Sequence, residues 1–283
     1  MKIAVVGARG QLAAAVVHEC EPHHEIAAFT HEQLDVADDA AVAAAMDRTR
    51  PDAIVNGVAF NDVDGAEDRP MAALNGNAFA VRALARAADR HGAALVHYST
   101  DFVFDGTAST PYTEDDRPNP RSVYAATKLL GEWFALDRPR GYALRVESLF
   151  GRAPNGRPAK GSIAGILKSL RAGNTAKVFV DRTITPTYVI DAAKATRQIL
   201  EAAAPSGLYH CVNSGATTWF ELAQEIARQL GVEPRLEPVR QADAKLRASR
   251  PQFCALSNAK LRSIGVEMPA WQDALHRYLS AAE

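Results

Sequence analysis

Two apolar rhythms alternate along the first half of the chain. KIAVVGA is a short run rich in β-branched residues and closed by glycine, and QLAAAVVHEC behind it repeats its apolar positions at helical spacing, so the chain begins strand, tight turn, helix. HEIAAFT predicts a second strand, DDAAVAAAMDRT a helix and PDAIVNGVA a third strand. RPMAALNGNAFAVRALARAADRHG then reads as one long helix, and AALVHYST as a fourth strand. Strands separated by helices run parallel, with the helices covering both faces of the sheet, which defines a doubly wound α/β architecture.

The rhythm breaks at DFVFDGTASTPYTEDDRPNPRS, a long stretch rich in Pro, Asp and Thr; a loop of that length in a compact domain usually lies over a site. The helix VYAATKLLGE and the strand YALRVESLFG follow. Beyond them comes a Gly/Pro-rich stretch over 151–161, then helix SIAGILKSLRAG, strand KVFV, helix YVIDAAKATRQILEAA and strand GLYHCVN. TTWFELAQEIARQLG, LSNAKLRSIG and WQDALHRYL close the chain at helical spacing. The expected division is a sheet domain over residues 1–147 and a smaller, mostly helical C-terminal lobe over 148–283, with a segment of about 187–213 returning to the sheet.

Composition narrows the function classes. At 283 residues, 47% hydrophobic and 23% charged, the chain can build one large domain with an accessory lobe. Its net charge of −1, with 32 basic residues spread along the chain, supplies no concentrated positive field, which argues against a nucleic-acid partner. Cys20, Cys211 and Cys254 are far apart and odd in number, so they read as buried thiols rather than a disulfide framework or a zinc knuckle. The apolar N-terminal run is too short for a signal-peptide core and no later stretch approaches a membrane span, so the cytoplasm is the expected location. His-Glu occurs at His18 and His31 without a second histidine at helical spacing, no Gly-x-Ser-x-Gly elbow is present, and no metal centre is expected.

The candidate chemistry begins at the first turn. Gly7, Ala8, Arg9, Gly10, Gln11 and Leu12 form a version of the dinucleotide turn, in which glycine lets the backbone approach a pyrophosphate at a helix N-terminus; a third glycine is replaced by Ala13, still small enough for close helix–strand packing. The alternative is a plain strand-to-helix turn, and the position at the start of a βαβ run favours binding. A site for NAD would place an acidic residue at the end of the second strand. Here that end reads Phe29-Thr30-His31, which favours NADPH, with NADH as the alternative; Arg9 and His31 could meet a 2′-phosphate, although a solvated loop histidine is an equal reading of His31.

Tyr124 and Lys128 stand four residues apart and so share one helix face. A nearby ammonium stabilises phenolate, so the pair is expected to lower the tyrosine pKa and provide a proton donor for carbonyl reduction beside a nicotinamide. Tyr-x-x-x-Lys is a weak pattern alone, and an amphipathic helix with a snorkelling lysine explains it equally. Ser99 and Thr100 add context: they end the fourth strand, at the carboxyl edge where open α/β sheets place ligands.

Taken together, GARGQL, RPDAIVNGVA with VDGAE, HYSTDFVFDG, YAATKLLGE, PTYVIDAA, GLYHCVNSGATTW and SRPQFCALS resemble, in order and from Met1 to about Leu279, the dTDP-4-dehydrorhamnose reductase group of the extended short-chain dehydrogenase/reductases. The resemblance implies a Rossmann-type sheet and an NADPH-dependent reductase of the 4-keto group of a nucleotide-linked deoxysugar. Thr100, Tyr124 and Lys128 match its catalytic triad, with Tyr124 as general acid and Lys128 on the nicotinamide ribose. By the same match Thr100 and Asp101 would touch the sugar, Gly57, Val58 and Ala59 would line the cofactor, and Asp35 with Val36 would flank the adenine. Strand-end packing is an equal reading of Val58.

The chain departs from that pattern in its substrate half. Where the family commonly reads Arg-Thr-Ser-Trp, the tryptophan lying against the sugar, the segment is Arg145-Val146-Glu147-Ser148, which puts Ser148 in the platform position and adds a carboxylate. Lys160-Gly161-Ser162-Ile163 stands where the family often has Asn-Phe. Asp181-Arg182-Thr183 carries Arg182 in place of Gln, either a phosphate partner or a solvated turn arginine. Two other functions fit the same motifs: a nucleotide-sugar epimerase holding NAD through its cycle, and a non-catalytic NADP(H)-binding regulatory subunit. A homodimer is common for this fold, and no segment identifies its interface.

Overall fold

The computed structural model describes residues 1–281 and centres on a six-stranded, wholly parallel sheet. Its strands are β1 (Lys2–Val6), β2 (Glu25–Phe29), β3 (Ala53–Asn56), β4 (Ala94–Thr100), β5 (Gly141–Val146) and the strand Gly207–His210. They lie in the order Gly207–His210, β5, β4, β3, β1, β2, so the direction of winding reverses between β1 and β3. A crevice at the carboxyl ends of the strands opens where the winding reverses.

The period-two pattern sorts side chains to the two faces. Ile3, Val5, Val55, Val96 and Leu144 join one apolar cluster with Leu12 and Val16 of the helix Gln11–Cys20 and with Val189 and Ile199 of the helix Val189–Glu201. Ala4, Val6, Ile54 and Leu95 join the opposite cluster, with Val42 and Met46 of the helix Asp39–Thr49 and Leu84 of the helix Ala80–His91. Burial on both faces is why these strands read as continuous apolar runs. Asp38 starts the helix Asp39–Thr49 by accepting hydrogen bonds from the amides of Ala40 and Ala41.

The long helix expected after β3 is divided. Val63–Asp68 and Pro70–Leu74 precede a π-turn at Asn75–Phe79, and only then does Ala80–His91 run as a regular helix. The buried Asn77 lies in that turn: its amide oxygen accepts the Phe60 N–H at 2.7 Å, and its amide nitrogen donates to Thr127 Oγ1 at 3.1 Å. One amide side chain thereby ties the loop after β3 to the helix Val123–Leu136, which Ser122 caps through the Ala125 N–H.

The rest of the chain builds a second apolar core around Ile163, Leu167, Ile184, Trp219, Leu222, Ile226 and Leu275. It is less purely helical than the sequence suggests. Ala176–Phe179 pairs with Leu236–Val239, Thr183–Ile184 with Thr217–Thr218, and Leu149–Phe150 with Thr187–Tyr188. The first of these contains most of the expected strand KVFV; the other two ladders span two residues each, too short to leave a periodic signal.

Candidate active site

A cavity of about 950 Å³ follows the crevice from the glycine turn across the ends of β3 and β4 to the second core. At one end the chain turns on Gly7, whose φ of +75° suits glycine, and Gly10 N–H closes the turn on the Gly7 carbonyl at 2.8 Å. A Cβ on Gly7 would lie 2.9 Å from Val58 Cγ2, and one on Gly57 would lie 2.6 Å from Ala13 Cβ. The two loops therefore interlock without side chains and leave backbone along the wall, with the helix Gln11–Cys20 beginning at that point. This fits a dinucleotide.

Gly7, Arg9, Gly10, Gln11, Leu12, His31, Val36, Gly57, Val58 and Ala59 all line this part of the cavity. Asp35 does not. It is exposed, and its carboxylate accepts the N–H of Ala37 at 3.0 Å, so it closes its own turn while Leu34 and Val36 face inward. A carboxylate does reach the cavity from the loop after β2: Glu32, one residue beyond the segment judged free of acid, lines the wall and pairs with Arg9.

The other half of the cavity gathers Thr100, Asp101, Tyr124, Lys128, Ser148 and Arg182. Thr100 ends β4 and donates its hydroxyl hydrogen to Asp101 Oδ1 at 3.0 Å, while accepting the Phe102 N–H at 3.2 Å. Tyr124 meets Phe102 edge-on, with ring centroids 6.0 Å apart. Ser148 has an unusual φ of +43° and stands at the cavity wall.

Lys128 does not act on Tyr124 as the sequence suggests. Its ammonium nitrogen contacts the Tyr98 carbonyl and lies 3.3 Å from His97 Nε2, and among the described residues it makes no bond to the phenol. Burial pushes the Lys128 pKa down to about 7, against the opposing charge of Glu132. Tyr124 is held above its ordinary pKa, first by burial and then by the charge of Asp101, with Thr100 hydrogen bonding opposing. The cation that was to lower it is engaged with β4.

Arg182 is neither solvated nor free: it is buried, donates from Nε to the Pro251 carbonyl at 3.3 Å, and lies over the rings of Phe102 and Phe179 at 5.8 and 5.7 Å. Beneath the site Arg145 and Glu132 form a buried bidentate pair, both contacts 2.8 Å. Glu32, Asn56, Asn77 and His97 were missed as site residues. Asn56 and His97 stand inside the quoted motifs VNGVA and HYST, but what they contact is set by strand neighbours rather than by sequence spacing. Trp219 packs in the second core and also lines the cavity, its indole N–H buried without a partner among the described residues.

A parallel sheet with a glycine turn at its switch point, and a hydroxyl, a phenol and a buried lysine at the strand ends, is the layout of a dinucleotide-dependent oxidoreductase. The model of the RmlD substrate binding domain matches residues 1–283, and the chain belongs to that family, the dTDP-4-dehydrorhamnose reductases of the extended short-chain dehydrogenase/reductase class. It is 36% identical over 282 residues to a probable dTDP-4,6-dihydroxy-2-methyloxan-3-one 4-ketoreductase of Streptomyces antibioticus, covering 97% of this chain and 93% of that one. It resembles the crystal structure of a dTDP-4-dehydrorhamnose reductase from Clostridium acetobutylicum with a TM-score of 0.93 at 30% identity, covering 100% and 99% of the two chains. A dTDP-4-dehydrorhamnose reductase from Bacillus anthracis, crystallised with NADP, also gives 0.93, at 28% identity and 99% coverage of both chains. No described helix is long and apolar enough to cross a membrane.

Proposed function

We propose that this chain reduces the 4-keto group of a nucleotide-linked deoxysugar at the expense of NADPH, with dTDP-4-dehydrorhamnose as the first substrate to test and the cytoplasm as its location. The observation that carries the reading is a single cavity in which Thr100 and Tyr124 share the wall with the glycine turn, giving one half, and with Ser148, Lys160, Arg182 and Arg250, giving the other. The first half suits a dinucleotide. The second offers cationic groups to a diphosphate and hydrogen-bonding groups to a sugar. A side cavity of about 270 Å³, bordered by Phe179 and Trp219, gives a flat base room beside an unpaired indole N–H.

NADPH, when bound, supplies hydride to the carbonyl carbon. The chain's part is to place the ketone oxygen between the Thr100 and Tyr124 hydroxyls, where Thr100 polarises it and Tyr124 gives it a proton. Gly7, Gly10 and the amides that begin the helix Gln11–Cys20 would hold the pyrophosphate. Lys128 would reach the nicotinamide ribose from β4's edge, and Arg9 and His31 the adenosine end. Because Glu32 is paired with Arg9, NADH remains a usable second cofactor.

The test is loss of NADPH absorbance when purified protein meets dTDP-4-dehydrorhamnose generated in the same vessel. Loss that vanishes in Tyr124→Phe supports the reading. NADPH binding without turnover on any keto sugar overturns it and favours a regulatory subunit. Protein that arrives with stoichiometric NAD and needs no reductant favours an epimerase.

A further inference from the structure

We propose that Glu147 and Asp101 share one proton and that this pair resupplies the phenol of Tyr124 through the hydroxyl of Thr100. The proposal rests on the reductase reading above and adds to it a residue that departs from the family pattern. The register of β4 on β5 sets Thr100 opposite Val146, so Asp101 and Glu147 leave adjacent strands side by side. Both are buried, at 4% and 2% exposure, and their carboxylate oxygens lie within 4.8 Å of one another and of Cys254 Sγ. Glu147 Oε2 accepts the Thr185 N–H at 2.6 Å; Oε1 has no partner. Asp101 Oδ1 accepts from Thr100.

The charged and titratable groups facing the pair are Arg182, Cys254 and Tyr124. Arg182 bonds to the Pro251 carbonyl and the Cys254 sulfur, and among the described residues no ion pair within 4.0 Å joins it to either carboxylate. Two buried carboxylates beside a single guanidinium that pairs with neither cannot both be ionised cheaply, whereas one proton between them leaves charge balanced and can supply the partner that Glu147 Oε1 lacks. Burial accordingly pushes both carboxyls up, Asp101 to about 6 and Glu147 well above its ordinary range.

The proton balance is simple. With the shared proton on Asp101 the Thr100–Asp101 contact runs the other way from the ionised form, the carboxyl donating to Thr100 Oγ1 and the Thr100 hydrogen turning to the phenol; when the Tyr124 O–H bond breaks toward the substrate oxygen, the Thr100 hydrogen passes to the phenolate and the Asp101 hydrogen to Thr100 Oγ1. That hydrogen is the pair's one proton, so both carboxyls are then ionised, and Asp101, which lines the cavity, takes one proton from water there and shares it again with Glu147. No electrons move. Glu147 touches no substrate atom and acts only through Asp101 and Thr100.

Infrared difference spectra of the full-length, cofactor-free protein at pH 7 test the shared proton. The expected result is a protonated-carboxyl C=O band that disappears in Glu147→Gln and in Asp101→Asn; absence of the band from wild type, or its survival in both variants, overturns the pair. The kinetic arm follows kcat against pH with saturating NADPH and keto sugar. Glu147→Gln should lower kcat about tenfold or more near neutrality and move the alkaline limb to lower pH, with KM for NADPH unchanged and partial recovery in Glu147→Asp. An unchanged profile overturns the relay. A wild type that reduces no keto sugar overturns the functional reading and the relay with it, while the infrared band still decides the pair.

Discussion

His97 Nε2 and Lys128 Nζ lie 3.3 Å apart with no room for two donors. Asn56 Oδ1 accepts the Val58 N–H at 3.0 Å, which turns its amide nitrogen toward His97 Nδ1 at 3.1 Å. The imidazole hydrogen therefore sits on Nε2, pointing at the lysine. Lys128 can answer it only as a neutral amine that accepts from His97 while donating to the Tyr98 carbonyl.

Cofactor binding should therefore take up a proton. With a free-state pKa of about 7, Lys128 is mostly neutral at pH 8, and the anionic cofactor raises its pKa toward the ordinary value. Titration calorimetry with NADPH at pH 8, in buffers of different ionisation enthalpy, should show uptake of up to about one proton. The uptake should vanish at pH 6, where the amine is already charged, and in Lys128→Met. The same depressed pKa makes the cofactor-free protein gain stability as pH rises above about 7, because the unfolded chain holds a proton that the folded chain has released.

Tyr124→Phe removes the proton donor and little packing. Turnover should fall by about 10² to 10⁴ while NADPH binding, followed by fluorescence, stays nearly unchanged. Loss of binding in parallel would mean that the phenol holds the cofactor rather than the reaction.

Arg145 and Glu132 neutralise each other in the core. Arg145→Leu strands the Glu132 carboxylate and should cost about 3–5 kcal/mol in denaturant unfolding, whereas Arg145→Leu with Glu132→Leu should recover most of that loss. A double variant no better than the single would assign the loss to packing over Phe104, on whose ring Arg145 lies at 4.9 Å.

Gly131 lies where the helix Val123–Leu136 crosses the π-turn. A Cβ there would lie 2.2 Å from the Asn77 carbonyl oxygen and 3.0 Å from His97 Nε2, so Gly131→Ala must push the helix away. The expected cost is about 1–3 kcal/mol, with a lower kcat because Tyr124 and Lys128 ride on that helix. Unfolding and turnover of the same preparation check both.

Glu32→Gln frees Arg9 for the adenosine end of the cavity. The ratio of kcat/KM with NADPH to that with NADH should rise severalfold, and an unchanged ratio would show that Arg9 does not read the 2′-position.

What was legible in the sequence was what period and punctuation encode: the alternation of strands and helices, the glycine turn, and the strand ends carrying Thr100 and Tyr124's helix. Pairings across the fold were not. The expectation that Lys128 tunes Tyr124 rests on their spacing on one helix, and it fails because β4 offers the amine a carbonyl and an imidazole that no spacing reveals. Asp35 faces away for a similarly local reason, an Asx turn with Ala37. Glu32 was overlooked because it lies in the loop beyond β2, past the segment Phe29-Thr30-His31 where an acid is expected, and the π-turn because Asn77's partners come from Phe60 and Thr127, 17 and 50 residues away.

The strand Gly207–His210 joins the sheet only after the first part of the second core, residues 149–188, has been threaded. On a chain emerging from the ribosome, the first five strands and their helices can assemble while Gly141–Val146 is still an open edge, its residues all destined for burial. The edge stays adhesive until some sixty residues more have been made, so a chain truncated within that interval would carry an unpaired template for aggregation. Sealing the sheet and closing the substrate half are therefore two events in the life of this molecule: Trp219 and Arg250, which line the cavity, follow His210 in the chain, so a nascent chain loses its open edge before its cavity is complete.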